Sequence, residues 1–343
     1  MRDEGRRRRP SSRVLNFHVD GVKRMERPRT HILLIAVIAV LPLLSTAQEE
    51  RPAQQPTEEP QVFKAGAELV VLHVNVFDGR SDAVPNLPQS AFTVYEDGKP
   101  QDIAFFEAGD VPVTVGLVID NSTSMLTERD LVVAGTRAFA ESSHPEDQMF
   151  AVVFNERVRL GLPSSIDFTT NRLQLIASLA RFRPGGKTAL YDAVIAGLDQ
   201  LEKGNYQKHV LVVLSDGGDN ASEHTEKDML RRVEASSALI YTIVDPDVFT
   251  PGEGNRGVLR RLAKLSGGLA YFPKSEREVV ENFMEIAGNI RRGYSIGYAP
   301  GSNTSHEHDR PHRLKVTVRM PGRSDLSVRV RNGYAESNSP GTR

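Results

Sequence analysis

The stretch PVTVGLVIDNSTS, residues 112–124, decides how this chain is read. Val113, Val115, Leu117, Val118 and Ile119 form an almost unbroken apolar run, the pattern of a parallel strand covered on both faces. The run stops at Asp120, so a carboxylate stands at the carboxyl end of a buried strand, the edge at which open α/β sheets bind ligands. Ser122 and Ser124 follow at alternate positions and add hydroxyl oxygens. Taken alone, two serines after a strand read as caps of the next helix.

Residues 209–214 (HVLVVL) repeat the design and run into Ser215-Asp216-Gly217-Gly218, so a second carboxylate leaves a second apolar strand. Between the two strands, Gly185-Gly186-Lys187-Thr188 delivers a threonine hydroxyl to the start of a helix whose Leu190, Val194, Leu198 and Leu201 share one face. The ordered set Asp120, Ser122, Ser124, Thr188 and Asp216 offers two carboxylates and three hydroxyls, without histidine or thiolate. Such an all-oxygen set suits Mg²⁺ or Mn²⁺ and disfavours zinc.

On these residues the chain resembles the von Willebrand factor A-type (VWA) domain, whose metal-ion-dependent adhesion site (MIDAS) has the form Asp-x-Ser-x-Ser, a distant Thr and an Asp-Gly pair. The resemblance covers about residues 112–293. It implies that Ser122, Ser124 and Thr188 contact the metal directly or nearly so, with Asp120 and Asp216 acting largely through bound water. It also implies a protein partner whose exposed Asp or Glu completes the coordination sphere, and a C-terminal helix whose movement can couple to metal occupancy.

Alternating strand-like and helix-like runs predict a doubly wound sheet. Helices are expected over 128–141, 175–182, 227–236 and 258–265, strands over 149–155 and 239–244, and an antiparallel edge return over 157–161. Gly267 and Gly268 stop one helix. Ser275 with Glu278 reads as a capping box for another, which carries Val279, Phe283, Ile286 and Ile290 on one face and stops at Gly293.

Outside this region the apolar period switches to two. Val70, Leu72, Val74 and Val76 alternate, and Phe92-Thr93-Val94-Tyr95 runs into Asp97-Gly98, a turn signal before the strand at 103–106. Tyr294, Ile296 and Tyr298 alternate in the same way, followed by Leu314 to Met320 and by Leu326, Val328 and Val330, with Pro321-Gly322 turning between the last two. Three or four short strands on either side make a poor core alone. The predicted fold class is therefore α/β: a doubly wound, mostly parallel, Rossmann-like VWA sheet at 110–293, inserted in a smaller β-sandwich that residues 62–109 and 294–336 build together. This layout, with Val94-Tyr95-Glu96-Asp97-Gly98-Lys99, Tyr294-Ser295-Ile296-Gly297-Tyr298 and Arg331-Asn332-Gly333-Tyr334, resembles an acidobacterial group of VWA-related proteins.

At the N-terminus, residues 32–44 (ILLIAVIAVLPLL) follow basic residues and precede Ser45-Thr46-Ala47, which together read as a signal peptide over 1–47. The apolar core is shorter than the roughly 20 residues of a membrane span, so membrane attachment is expected only if this segment stays uncleaved. Met25 offers a conventional start, on which reading 1–24 would be a start-site artefact. Residues 48–61 are a polar, Pro- and Glu-rich linker, and 337–343 a disordered tail. Removal of 1–47 leaves 33 Lys or Arg against 40 Asp or Glu, a net charge of −7 that disfavours nucleic acid as a partner. The lack of cysteine excludes disulfides and a lipid-modified cysteine.

His306, His308 and His312 read as an exposed connection, Asp219, Glu223 and Asp228 as a solvated helix start, and Lys187 as a surface lysine. No Gly-x-Ser-x-Gly elbow surrounds Ser122 or Ser124, and the glycine a Walker loop needs at 181 is Arg181. The reading that results is an exported, non-enzymatic, cation-dependent protein-binding module at the periplasm or cell surface. The alternative is a structural component of the cell envelope in which the metal only stabilises a loop.

Overall fold

The computed structural model describes residues 69–126, 129–244, 255–300 and 312–334. The signal segment, the linker, the tail, His306 and His308 lie outside them. Four strands come first: β1 (Val70–Phe77), β2 (Phe92–Glu96), β3 (Lys99–Gln101) and β4 (Ile103–Ala108). Then follow β5 (Thr114–Asp120), α1 (Arg129–Ser142), β6 (Gln148–Phe154), β7 (Val158–Leu160), α2 (Arg172–Ala180), α3 (Leu190–Leu201), β8 (His209–Ser215) and α4 (Glu226–Ala235). The described chain continues with β9 (Leu239–Val244), α5 (Arg256–Ser266), β10 (Ala270–Tyr271), α6 (Glu276–Arg292), β11 (Tyr294–Tyr298), β12 (His312–Val318), β13 (Ser327–Arg329) and β14 (Gly333–Tyr334).

The central sheet has the order β10-β9-β8-β5-β6-β7 and is parallel except for β7, which returns antiparallel to β6. Every residue of β5 is buried, as its apolar run demands. Val115, Leu117 and Ile119 pack on one side with Phe139 of α1, Leu175 of α2 and Phe283 of α6, whereas Val118 packs on the other with Leu190 of α3, Met229 of α4 and Leu259 of α5. This is the predicted α/β class, a mostly parallel sheet with helices on both faces.

Two antiparallel sheets form the second layer system, with orders β13-β1-β11-β4 and β14-β12-β2-β3. Each draws two strands from before the central sheet and two from after it. Leu72, Val74, Val94, Ile296, Tyr298, Leu314 and Val316 are buried in the shared core between them. Both faces of β1 are covered: His73 and Asn75, which alternate with its apolar residues, are only 2% exposed. Asn75 Nδ2 donates to the Tyr241 hydroxyl of β9 at 3.0 Å, and His73 Nδ1 lies 3.2 Å from Ser295 Oγ. Arg331 fastens the same junction through its guanidinium, which donates to the carbonyls of Ser236 at 2.8 Å and Glu234 at 2.7 Å.

Several local expectations are corrected. Asp97 and Gly98, at φ +48° and +81°, do form a tight hairpin turn, but it joins β2 to β3; after Asp102 the chain crosses to pair β4 with β11. Pro321-Gly322 likewise connects strands of different sheets, because β12 pairs with β2 and β14 while β13 pairs with β1. The helix expected at 175–182 begins at Arg172, where Asn171 caps it by accepting from the backbone N–H of Leu173 and Gln174. At α6 the Ser275 side chain accepts from Glu278 N, but the Glu278 carboxylate turns to Lys274 N, so the box is not reciprocal. A reciprocal box does occur at α4, between Thr225 and Asp228. Gly293 ends α6 in an extended conformation; a Cβ there would lie 2.8 Å from Asn75 Oδ1, so crowding at the junction explains the glycine.

Phe283 is fully buried, edge-on to Phe139 with ring centroids 6.3 Å apart. Phe283→Ala is expected to lower the unfolding free energy by about 3–5 kcal/mol in urea titrations. Burial, reinforced by the charges of Lys208, His209 and Arg331, pushes His73 down to about 3. Between that value and 6.5 the unfolded chain holds the extra proton, so this stabilisation is complete above pH 6.5 and lost as pH falls toward 3. Comparing wild type with His73→Gln should show the wild type losing up to about 1.4 kcal/mol more per pH unit across that window.

Candidate metal centre

β5 and β8 are neighbours at the point where the chain switches direction across the sheet, β6 and β7 lying to one side and β9 and β10 to the other. Their carboxyl ends therefore flank the crevice in which doubly wound sheets place ligands. Asp120 closes β5 and is 1% exposed; Asp216 follows β8 and is 5% exposed.

The loop after β5 folds back on Asp120. Ser122 N donates to Asp120 Oδ1 at 2.9 Å, and residues 123–125 form a single 3₁₀ turn. Ser122 is the N-cap of that turn yet its hydroxyl makes no capping bond; it lies 3.0 Å from Ser124 Oγ instead. Ser124 Oγ in turn donates to Asp216 Oδ2 at 3.2 Å, joining the two strand-end loops. The capping role that these serines suggest in isolation is thus set aside: both hydroxyls face the carboxylates.

Thr188 arrives from the third loop. Gly185 N donates to Asn121 O at 2.9 Å, Thr123 N to Gly186 O at 3.2 Å and Thr123 Oγ1 to the same carbonyl at 3.0 Å, stitching this loop to the first. Thr188 N donates to Asn220 Oδ1 at 2.8 Å and Thr188 O accepts from Asn220 N at 2.9 Å, fastening it to the loop after β8. Ala189, not Thr188, is the N-cap of α3, and the Thr188 hydroxyl makes no hydrogen bond among the described residues. The structure therefore links Asp120, Ser122, Ser124 and Asp216 in one hydrogen-bonded chain and holds the Thr188 backbone beside it.

Burial, with the charge of Asp216 adding to it, raises Asp120 to about 6 despite its bonds from Ser122 and Ser215. Two carboxylates drawn out of water beside the Ser122 and Ser124 hydroxyls present concentrated negative oxygen, with no cationic side chain among the described residues bonded to it. A small divalent cation fits that chemistry. Ser122, Ser124 and Thr188 would supply neutral oxygens, and the two carboxylates would supply the balancing charge. Among the described residues no group of three or more His, Cys, Asp or Glu converges.

Sequence reasoning left out two residues. Ser215 Oγ donates to Asp120 Oδ2 at 2.7 Å and accepts from Gly217 N at 3.1 Å, so it orients the buried carboxylate. Asn220 positions Thr188 as above. Ser215 precedes Asp216 at a strand end, which is the signal that a hydroxyl there has a carboxylate in reach; nothing local marks Asn220. Gly217 is required by its φ of +84° and by the Asn255 carbonyl, which a Cβ would approach to 2.4 Å.

The secondary residues are structural. Asp219 accepts from Tyr191 N at 3.0 Å and from Ser222, Glu223 N donates to Asp192, and Asp228 belongs to the α4 capping box. Lys187 is exposed, and its backbone N–H donates to Glu156. His312 Nδ1 lies 2.9 Å from Asp97 Oδ2, far along the sandwich in β12.

Ser215→Ala leaves Asp120 Oδ2 without its donor. Its Mn²⁺ affinity by titration calorimetry is expected to fall about 10–100-fold with the circular dichroism spectrum unchanged, whereas undiminished affinity would deny Ser215 that orienting role.

Residues 115–218 match the family described as von Willebrand factor type A domain. No curated protein matches the chain. Similar solved structures include a von Willebrand factor type A protein from Catenulispora acidiphila, 12% identical over 80% of this chain and 76% of that one, with a TM-score of 0.48. The vWF domain of the type V pili tip protein Mfa5 from Porphyromonas gingivalis is 13% identical over 53% and 95%, with a TM-score of 0.44. Proximal thread matrix protein 1 from the mussel byssus, with zinc occupied MIDAS motif, is 14% identical over 56% and 48%, with a TM-score of 0.42. At those scores the assignment rests on the family match together with the strand order and the loops it carries. This chain contains a von Willebrand factor type A domain.

Proposed function

We propose that this chain is an exported, divalent-cation-dependent protein-binding module, in which Asp120, Ser122, Ser124, Thr188 and Asp216 hold Mg²⁺ or Mn²⁺ and an acidic side chain of a partner completes the coordination. The observation that carries this reading is the bond from Ser124 Oγ to Asp216 Oδ2, which brings hydroxyls of one strand-end loop onto the carboxylate of another at the rim of the sheet. VWA domains are generally interaction modules, and the donor chemistry suits a hard cation that retains an exchangeable position. Ser124 is exposed, so a ligand on a protein partner has a route to that position.

Export is proposed from the apolar segment at 32–44 and the small residues that follow it. Among the described residues no helix is long and apolar enough to cross a membrane. The ion's part is to present positive charge to an acidic partner; the chain's own residues hold it, orient it through Ser215 and Asn220, and bury the counter-charge at Asp120.

Thermal denaturation tests the cation. Mg²⁺ or Mn²⁺ at about 100 times its dissociation constant should stabilise the wild type by about 2.7 kcal/mol over the same protein in EDTA, with Zn²⁺ as a comparison arm. Ser122→Ala combined with Ser124→Ala should erase that difference. An equal cation response in wild type and double variant would contradict the reading. Retained partner capture in EDTA would favour a structural role for the sandwich instead.

A further inference from the structure

A groove of about 700 Å³ lies where the sandwich meets the VWA domain, away from the candidate metal centre. One wall is α5 with the segment leading into β10; the other is β12 and β13. Arg260 and Lys264, four residues apart and so on one face of α5, stand on the first wall, and Lys315 and Arg329 stand on the second. All four are exposed, and among the described residues none of them makes an ion pair and no carboxylate lines the groove. The Arg260 guanidinium rests over the Phe272 ring, 4.3 Å from its centroid, which holds the charge at the wall. Four unpaired cations in one groove are out of keeping with a chain whose residues from 48 onward carry a net charge of −7.

Both walls also end in strand edges. Among the described residues β10 pairs only with β9, and β13 only with β1, so each has backbone groups along its other edge without a described strand partner. Free strand edges accept an added strand through main-chain hydrogen bonds. Between them the lining is small or apolar, with Gly267, Gly268, Ala270, Val328 and Val330.

We infer that this groove binds an extended acidic peptide segment of a partner protein, its carboxylates alternating toward Arg260, Lys264, Lys315 and Arg329 and its backbone lying along a strand edge. Carboxylates match the unpaired charges, and an extended backbone matches the edges. Nucleic acid would meet the same cations but is repelled by the remaining acidic surface, and it gains nothing from a strand edge.

The test is fluorescence anisotropy with a labelled decapeptide alternating glutamate and valine, run in EDTA so that the metal centre takes no part. Binding should saturate, weaken with added salt, and fall at least about tenfold in Lys315→Glu with Arg329→Glu, a pair of exposed changes expected to leave the melting curve unaltered. Should that pair fail to fold, Lys264→Glu with Arg329→Glu, which reverses one charge on each wall, replaces it with the same expected loss. Equal affinity in the charge-reversed protein would overturn the inference. So would equal binding of a lysine-valine decapeptide, or binding of a single-stranded oligothymidylate without the glutamate peptide.

Discussion

A carboxylate taken out of water governs the candidate site. Asp120 is 1% exposed at the end of a strand buried on both faces, a position that is costly for a charge unless something answers it. Ser122 N and Ser215 Oγ give it two hydrogen bonds, yet burial and the nearby Asp216 still raise its pKa to about 6. The folded chain therefore holds a charge only partly compensated, next to serine hydroxyls that face the carboxylates instead of capping a helix. A divalent cation would answer that charge, which supports the function proposed above.

The rest of the fold serves this placement. β5 and β8 lie side by side at the switch in strand order, so their loops emerge together, and the loop before α3 is pinned between them by Asn121, Gly186 and Asn220. Seen from the opposite layer, the sandwich is no detachable appendage. Its β1 buries His73 and Asn75 against the VWA domain, and Arg331 bonds to the end of α4. The junction is polar and buried, and it leaves a basic groove along its margin.

Much of the fold was legible because burial on both faces leaves a plain mark. The apolar runs ending at Asp120 and Asp216 reveal two parallel strands, and the period-two flanks reveal sandwich strands on either side of them. What was not legible depends on which strand a segment meets. The periodicity of β4 is the same whether it completes a hairpin with β2 or crosses to β11, and only the tertiary packing decides. His73 and Asn75 look like solvated positions because alternation cannot show that a second domain covers that face. At the site, the oxygen donors could be picked out by type and spacing, but Ser215 and Asn220 act by orienting their neighbours, and only the folded loops show which neighbours those are.

Crystals grown with Mn²⁺ and measured at a wavelength where manganese scatters anomalously test the central claim most directly. The expected result is one strong anomalous peak bound by the Ser122 and Ser124 hydroxyls, with Thr188 and the two aspartates around it. A well-ordered site without such a peak, or a peak elsewhere on the chain, would contradict it.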